Sequence, residues 1–373
     1  MLQKATELGS TSPGADLRRY QALSEGDGFL TEYGSTIGPI EVAYETWGEL
    51  NFGATNAVLV LHALTGDSHA AGPANQAHPT PGWWDGLIGP GRAIDTDRYF
   101  VVCPNVLGGC RGTTGPASIA PDGKPYGSRF PYITIRDQVR VERSFAKALG
   151  IDRWAAIVGG SMGGMRALEW LIEYPDAAAK GIILATGAVA TAEQVALSSL
   201  QIQMIKEDPD YCGGDYLHYN RSPRRGLSMA RQLAQISYRS PEEFEERFGK
   251  NADGIPVRDG GLYAVESYLQ HHGTKLVNRF DANSYIRLSE AMNHHNVGRN
   301  RGGLVAALAS VRAEVAVVGI TSDRLYPLHQ QYEIASLLPS QPEVAVVDSP
   351  VGHDGFLVAV EGVGKVIAAA LAG

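Results

Sequence analysis

The run WAAIVGGSMGGMRALEWLIEYP (154–175) sets a serine between a short apolar segment and a helical pattern. WAAIV (154–158) is continuously apolar, which is typical of a strand buried on both faces of a parallel sheet. MRALEWLIEYP (165–175) has helical apolar spacing and stops at a proline. GGSMG (159–163) between them has the form G-x-S-x-G, and in a strand-to-helix turn this motif predicts a strained loop that presents Ser161 as a nucleophile.

Other parts of the chain repeat the strand and helix signatures. Five further apolar runs predict buried strands: AVLVL (57–61), RYFVVC (98–103), GIILA (181–185), VAVVGI (315–320) and VAVVD (344–348). Helical patterns such as IRDQVRVERSFAKALG (135–150) lie between them. This alternation predicts an α/β fold with a mostly parallel sheet flanked by helices.

The alternation stops after about residue 186, and no buried strand is evident again until Val315. We therefore predict a catalytic domain formed by residues 21–186 and 310–373, with a helical lid insertion over 187–309. A helical bundle that serves only stability or dimerisation is the alternative for the insertion. Residues 1–20 are rich in small polar and charged residues and are expected to be a flexible leader.

Composition excludes several function classes. The 373 residues carry a formal net charge of -8, which argues against a general nucleic-acid or membrane-surface binder. The three cysteines lack C-x-x-C spacing, so neither a disulfide framework nor a metal site is expected. The chain shows no signal peptide and no apolar stretch long enough to span a bilayer, and a cytoplasmic location is predicted.

A serine nucleophile needs a base and a group that orients the base. In the α/β-hydrolase fold these follow the serine along the chain as an acid and then a histidine. Asp323 follows the run VAVVGI, and His353 lies in the loop after VAVVD. Both are expected at the carboxyl ends of strands, where sites of open parallel sheets gather.

Other acids and histidines remain alternatives. Asp348 and Asp354 compete with Asp323 for the acid, and His62 precedes the serine, which is the wrong order for the base. Structural or solvated roles are expected for His271, His272, His294, His295 and His329.

Acyl transfer also requires donors for a tetrahedral oxyanion. The amide of Met162 is the first candidate because it follows the nucleophile. The second is expected in the loop HALTGDSH (62–69) after an early strand, and Leu64 is the predicted donor.

Six separated motifs give the chain a family resemblance. They are HALTGDSHAAG (62–72), PGWWDGLIGPGRAIDTDRYFVVCPNVLGGCRGTTGP (81–116), PYITIRDQVR (131–140), GGSMGGM (159–165), SMARQLAQISYRS (228–240) and VGHDGFL (351–357). Together they resemble the homoserine O-acetyltransferase family of methionine biosynthesis.

The resemblance implies a ping-pong reaction in which acetyl-CoA acylates Ser161 and L-homoserine then takes the acetyl group. It implies that Arg231 binds the carboxylate of the amino acid and Asp354 its ammonium group, with Tyr238 lining the same pocket. Acetyl-CoA is a co-substrate in this scheme, and no bound cofactor is expected. A homodimer is implied, and Arg111, Arg224 and Arg225 are suggested contacts for CoA.

Alternatives to this function stay open. Succinyl-CoA as donor or serine as acceptor fits related enzymes, although GGCRGTTGP (108–116) favours the acetyl donor. A short-chain esterase would use the same catalytic groups, but it would have no reason to carry Arg231 and Asp354. A non-catalytic binding module of the same fold is the remaining alternative.

Overall fold

The computed structural model describes residues 18–23, 28–75 and 78–372. Its strands are β1 Arg19–Leu23, β2 Phe29–Leu30, β3 Thr36–Ile37, β4 Ile40–Trp47, β5 Ala57–Leu61, β6 Ile88–Gly89, β7 Ile94–Asp95, β8 Phe100–Pro104, β9 Trp154–Gly160, β10 Ala178–Leu184, β11 Glu314–Ile320 and β12 Ala345–Val347. Its α-helices are α1 Ile135–Ala148, α2 Met162–Glu173, α3 Ala192–Lys206, α4 Arg224–Tyr238, α5 Pro241–Arg247, α6 Ala264–Val277, α7 Ala282–Asn293, α8 Leu304–Ala309, α9 Leu328–Leu337, α10 Gly355–Val358 and α11 Val360–Ala372. Short 3-10 segments cover Gly127–Arg129, Pro209–Gly214 and Val257–Asp259.

Eight of these strands form one sheet in the order β1-β4-β8-β5-β9-β10-β11-β12. All neighbours from β8 to β12 are parallel, and β4 runs antiparallel to both β1 and β8. Each of the six predicted apolar runs is a strand of this sheet. The prediction of a mostly parallel sheet flanked by helices is therefore confirmed.

The amino-terminal side of the sheet was not predicted. Strand β1 begins at Arg19 and pairs with β4, with Tyr20 opposite Ala43. The last two residues of the predicted leader, 19 and 20, therefore belong to the sheet. Most side chains of this edge strand are exposed, and it therefore lacks the buried apolar pattern of a central strand. The rest of the predicted leader, residues 1–17, lies outside the described residues.

Helices cover both faces of the sheet, and alternate strand residues point to opposite faces. Leu59 and Leu61 of β5 pack in one core with α1 and α2, whereas Val58 and Val60 pack in a second core with α11. All five residues of β5 are buried. The central strands are therefore fixed from both sides, and the loops at their carboxyl ends start from rigid points.

Residues 185–313, all of them described, form helices α3 to α8 and contain no strand. Helix α4 packs against both α3 and α6, and α3 also packs against α7. The division of the chain into a catalytic domain and a lid stays a prediction. No helix in the described part of the chain is long and apolar enough to cross a membrane.

A buried ion pair joins α1 to α2. The Arg166 guanidinium, which is fully buried, lies 2.5 Å from the Glu142 carboxylate. Trp170 donates its indole N–H to the same carboxylate at 2.7 Å. Arg166 also donates to the carbonyl oxygen of His62, the first residue after β5. One side chain thus ties two helices to the loop that follows a central strand.

We expect Arg166→Leu to lower the free energy of unfolding by about 3–5 kcal/mol, because it leaves the Glu142 charge buried without compensation. Urea denaturation followed by circular dichroism measures the loss. Arg312→Leu is the matched control, since it breaks an exposed pair with Asp176 that is worth about 0–1 kcal/mol. Equal losses in the two variants would contradict the burial argument.

Candidate active site

Ser161 lies in the turn between β9 and α2 with φ 57° and ψ −124°, a conformation that an L-residue adopts only under strain. The turn is held by backbone hydrogen bonds, from Ser161 N to Leu184 O at 3.0 Å and from Met165 N to Ser161 O at 3.0 Å. The hydroxyl of Thr186 donates to the Ser161 carbonyl at 2.9 Å. The predicted strand-to-helix turn is present in the structure.

Glycine is required beside this serine because the surrounding backbone approaches too closely for a side chain. A Cβ on Gly163 would lie 2.0 Å from the carbonyl oxygen of Leu61, and one on Gly159 would lie 2.2 Å from that of Gly163. The first turn of α2 therefore packs directly against the end of β5.

The structure brings Ser161, His353 and Asp323 into one hydrogen-bonded chain. His353 Nε2 lies 2.9 Å from Ser161 Oγ, and His353 Nδ1 lies 2.7 Å from Asp323 Oδ2. Asp323 Oδ1 accepts the backbone N–H groups of Leu325 and Tyr326 at 2.9 and 2.8 Å. An acceptor at Nδ1 assigns the proton to that nitrogen, so Nε2 can accept the serine proton.

The protonation of His353 depends on two opposing effects. Burial among the rings of Tyr238, Tyr326 and Phe356 disfavours the imidazolium form. The charge and hydrogen bond of Asp323, with a further contribution from the Asp354 charge, outweigh this and raise the pKa of His353 above its ordinary value. The imidazole is thus a stronger base than an ordinary histidine side chain.

The other candidates for the catalytic acid and base form different contacts. Asp348 accepts from the Thr321 hydroxyl at 3.0 Å, and Asp354 pairs with Arg239 at 3.2 Å. His62 accepts from the Val106 amide at 3.1 Å through Nε2. Burial, reinforced by the charge of Arg166, lowers the pKa of His62 to about 3, so this imidazole stays neutral.

The predicted oxyanion donors border the serine. Met162 is the first residue of α2, and its amide has no acceptor within the helix. Leu64 lines the same cavity as Ser161. Their role as donors to a substrate oxyanion stays a prediction.

A cavity of about 170 Å³ opens at Ser161 and His353. Its walls come from three parts of the chain: the loop after β5, the helical segment between β10 and β11, and the loop that carries His353. The lining residues are Ala63, Leu64, Thr65, Gly66, Trp83, Ser161, Arg231, Tyr238, Arg279, His353, Asp354, Phe356 and Leu357.

Arg231, Tyr238 and Asp354, which the family resemblance suggested for substrate binding, all line this cavity. Their binding roles stay predictions. Arg231 and Tyr238 share one face of α4, and the guanidinium carbon lies 5.1 Å from the centre of the Tyr238 ring. Arg231 also donates to the Thr65 hydroxyl at 3.4 Å. The cavity therefore offers both signs of charge close to Ser161.

Arg279 and Trp83 are among the residues of the cavity wall that sequence reasoning missed. Arg279 follows α6 and donates to the Thr65 carbonyl at 2.8 Å. No sequence pattern links it to Arg231, because only the packing of α6 against α4 brings them together. Trp83 lies in the motif PGWWDG of the family resemblance, and that motif could have indicated a place for it at the site.

The arginines suggested for CoA are dispersed. Arg111 lies beside Asp67 at 3.4 Å, and Arg224 donates to the Asn278 side chain at 2.8 Å. Arg225 lines a separate surface cavity that shares no residue with the one at Ser161.

One group of described residues has the composition of a metal site: Glu45, His69 and His78. The two imidazole rings are stacked 3.8 Å apart and nearly parallel at 6°. His69 Nδ1 and His78 Nε2 lie 2.9 and 3.3 Å from the Glu45 carboxylate. Glu45 also accepts from the Ser68 hydroxyl at 2.9 Å and so anchors the loop after β5.

The raised pKa of His353 gives a prediction that needs no substrate. Labelling of Ser161 by a fluorophosphonate requires the neutral imidazole, so its rate should rise with pH through a midpoint above 6.5. Asp354→Asn should lower the midpoint, because it removes a negative charge that favours the imidazolium form. Asp348→Asn is the control and should leave the midpoint in place. An unchanged midpoint in Asp354→Asn would refute this electrostatic account.

Comparisons with known proteins match this chain to a family model and to individual relatives. A family model described as alpha/beta hydrolase fold matches residues 56–360. Homoserine O-acetyltransferase of Mycobacterium sp. (strain KMS) is 56% identical over 337 residues, which cover 90% of each chain.

Two solved structures share the fold over nearly the whole chain. Homoserine O-acetyltransferase from Bacillus anthracis is 30% identical with a TM-score of 0.86, covering 95% of this chain and 97% of that one. Esterase E22 has the same identity and TM-score and covers 95% and 99%. Identity to the Mycobacterium protein, at 56% over 90% of both chains, is far higher than to the esterase. The chain belongs to the homoserine O-acetyltransferase family, within the α/β-hydrolase fold.

Proposed function

We propose that the protein is an L-homoserine O-acetyltransferase, which transfers the acetyl group of acetyl-CoA to the side-chain hydroxyl of L-homoserine. The products are O-acetyl-L-homoserine and CoA, within methionine biosynthesis. The observation that carries the proposal is that one cavity contains Ser161, hydrogen-bonded to His353, together with Arg231 and Asp354. A nucleophile for acyl transfer thus adjoins both charges that an α-amino acid requires.

In the first half-reaction Ser161 Oγ attacks the thioester carbonyl carbon while its proton moves to His353 Nε2. Asp323 keeps the imidazole oriented and balances its positive charge. The amides of Leu64 and Met162 stabilise the oxyanion, and each such donor is typically worth about 2.7–4 kcal/mol. The C–S bond then breaks, His353 protonates the leaving CoA sulfur, and the acetyl group stays on Ser161.

The second half-reaction reverses these roles with a different nucleophile. The hydroxyl of homoserine gives its proton to His353 Nε2 and attacks the acetyl carbonyl carbon. The ester bond to Ser161 breaks, and Ser161 Oγ recovers the proton from His353. The result is an acetylated homoserine and the starting enzyme, so atoms and charges balance without a further reactant.

Recognition of the amino acid is assigned to three residues of the cavity. Arg231 binds the α-carboxylate, because a guanidinium forks onto two carboxylate oxygens. Asp354 binds the α-ammonium group and exchanges its pairing with Arg239 for it. Tyr238 forms the wall between Arg231 and His353.

A short-chain esterase is the second candidate, and its support is the 30% identity to esterase E22 over most of the chain. Water would then take the place of homoserine in the second half-reaction. The opposite charges of Arg231 and Asp354 favour the transferase, since a neutral ester does not require them. A succinyl donor and a serine acceptor are the alternatives within the family.

We expect thiol release from acetyl-CoA to depend on L-homoserine and to fall by about 10⁴-fold or more in Ser161→Ala, because the covalent route is lost. The measurement compares L-homoserine, L-serine and water alone, and it repeats the homoserine reaction with succinyl-CoA. Equal release without any amino acid would identify a hydrolase instead. Ser144→Ala, on α1, is the matched control and should retain activity.

A homodimer and a cytoplasmic location complete the proposal. Three unpaired cysteines suit a reducing compartment. Exposed apolar side chains on the helical segment, Leu200 and Met229, support contact with a second copy. Sedimentation equilibrium should give twice the mass of the chain, and Met229→Glu should shift the mass toward one chain. An unaltered dimer in Met229→Glu would exclude this surface.

A further inference from the structure

Asp354, to which the proposed function assigns the ammonium group of the substrate, already has a cationic partner. Its Oδ2 atom lies 3.2 Å from Arg239 Nη2, and the two side chains are only 15% and 14% exposed. An incoming ammonium group must therefore displace a guanidinium of the same charge. A partly buried cation that loses its counter-charge is costly, so binding of the amino acid depends on what Arg239 contacts next.

A second carboxylate, that of Glu243 on α5, contacts a different nitrogen of the same guanidinium. Glu243 Oε1 lies 3.1 Å from Arg239 Nη1, and it also lies 3.4 Å from the half-exposed Arg247. Within the described part of the chain, Glu243 Oε2 and Arg239 Nε are buried and have no hydrogen-bond partner. The present pairing thus leaves one acceptor and one donor unused. An Arg239 guanidinium that turns away from Asp354 can form two parallel hydrogen bonds with Glu243.

The backbone holds these ion pairs beside the loop that carries His353. The Asp354 amide donates to the carbonyl oxygen of Tyr238, the last residue of α4, at 3.2 Å. A Cβ on Gly352 would lie 2.7 Å from the amide nitrogen of Ser240, so the two backbones are in direct contact. Because these backbone contacts do not involve the charged groups, the ion pairs can exchange by side-chain rotation while His353 stays in place.

We propose that Arg239 and Glu243 form a positioning pair that controls access of the substrate ammonium group to Asp354. When an α-amino acid enters, its ammonium group takes the Asp354 carboxylate, and the Arg239 guanidinium moves onto both oxygens of Glu243. The charge of Arg239 is compensated in both states, and a ligand without an ammonium group leaves the first state in place. This proposal rests on the proposed function and deepens it, since neither positioning residue touches the substrate.

The first variant is Glu243→Gln, which keeps the shape of the side chain but removes the charge that receives Arg239. In a ping-pong enzyme, kcat/KM for each substrate reports only the half-reaction of that substrate. We expect kcat/KM for L-homoserine to fall about 5-fold, which is the scale of a partly exposed ion pair. The value for acetyl-CoA should stay unchanged, as should the fluorophosphonate labelling rate of Ser161 on the plateau above the His353 midpoint. Glu246→Gln, an exposed carboxylate on the same helix, is the matched control and should change none of the three.

A double-mutant cycle shows whether Glu243 acts through Arg239. In an Arg239→Met background, Glu243→Gln should cause no further loss with L-homoserine, because no guanidinium remains for Glu243 to receive. A loss of the same size in both backgrounds would overturn the proposal, as would an unchanged kcat/KM for L-homoserine in the single variant.

The labelling rate separates a positioning role from a purely structural one. An equal fall in the labelling rate of Ser161 in Glu243→Gln would show that Glu243 only supports the loop of His353, and it would overturn the proposal. Failure of the proposed function is distinct. The unmodified protein would then release no thiol in response to L-homoserine, although the fluorophosphonate would still label Ser161.

Discussion

The backbone of Ser161 is the constraint on which the site depends. A positive φ at a residue other than glycine costs about 1–3 kcal/mol, and it persists only where its surroundings hold it. Here the carbonyl oxygen of Leu184, in β10, accepts a hydrogen bond from the Ser161 amide. The first turn of α2 lies against the end of β5. Three central elements must therefore pack correctly before the serine hydroxyl faces its cavity. The buried parallel sheet supplies that rigidity because both of its faces are covered.

The loop after β5 needs equal support, since it carries the Leu64 amide. Arg166 donates a hydrogen bond to the His62 carbonyl, and Glu45 accepts hydrogen bonds from Ser68 and His69 further along the loop. His62 itself accepts the Val106 amide at Nε2, which assigns its proton to Nδ1, where the Ala63 carbonyl lies at 2.8 Å. These are buried polar contacts, and in a low dielectric each is costly to leave unpaired. The sequence around the loop after β5 is thus constrained by satisfaction of hydrogen bonds as much as by packing.

The sequence predicts those elements of the fold and site that have a local sequence pattern. Strands β5, β9 and β11 are short apolar runs, and GGSMG (159–163) stands at a strand-to-helix turn, so the sheet and Ser161 followed directly. Strand β1 lies at an edge with exposed side chains and gave no such pattern. Asp323 and Asp348 both lie between Ser161 and His353 along the chain, so chain order does not separate them. The structure supplies the distance that does, from His353 Nδ1 to Asp323 Oδ2. The place of Arg279 in the cavity wall could not be predicted from the sequence, because it depends on how α6 packs against α4.

The fold by itself does not separate a transferase from a hydrolase, since an esterase and an acetyltransferase match this chain with the same TM-score of 0.86. Both reactions need the groups held by the sheet: a serine, an imidazole, a carboxylate and two amides. The distinction must therefore come from what surrounds them. Arg231 comes from helix α4, in the segment between β10 and β11, and it supplies a charge that water does not need as a nucleophile. Under the proposed function, the sheet holds the groups that break the bond, and the helical segment supplies the charge that binds the acceptor.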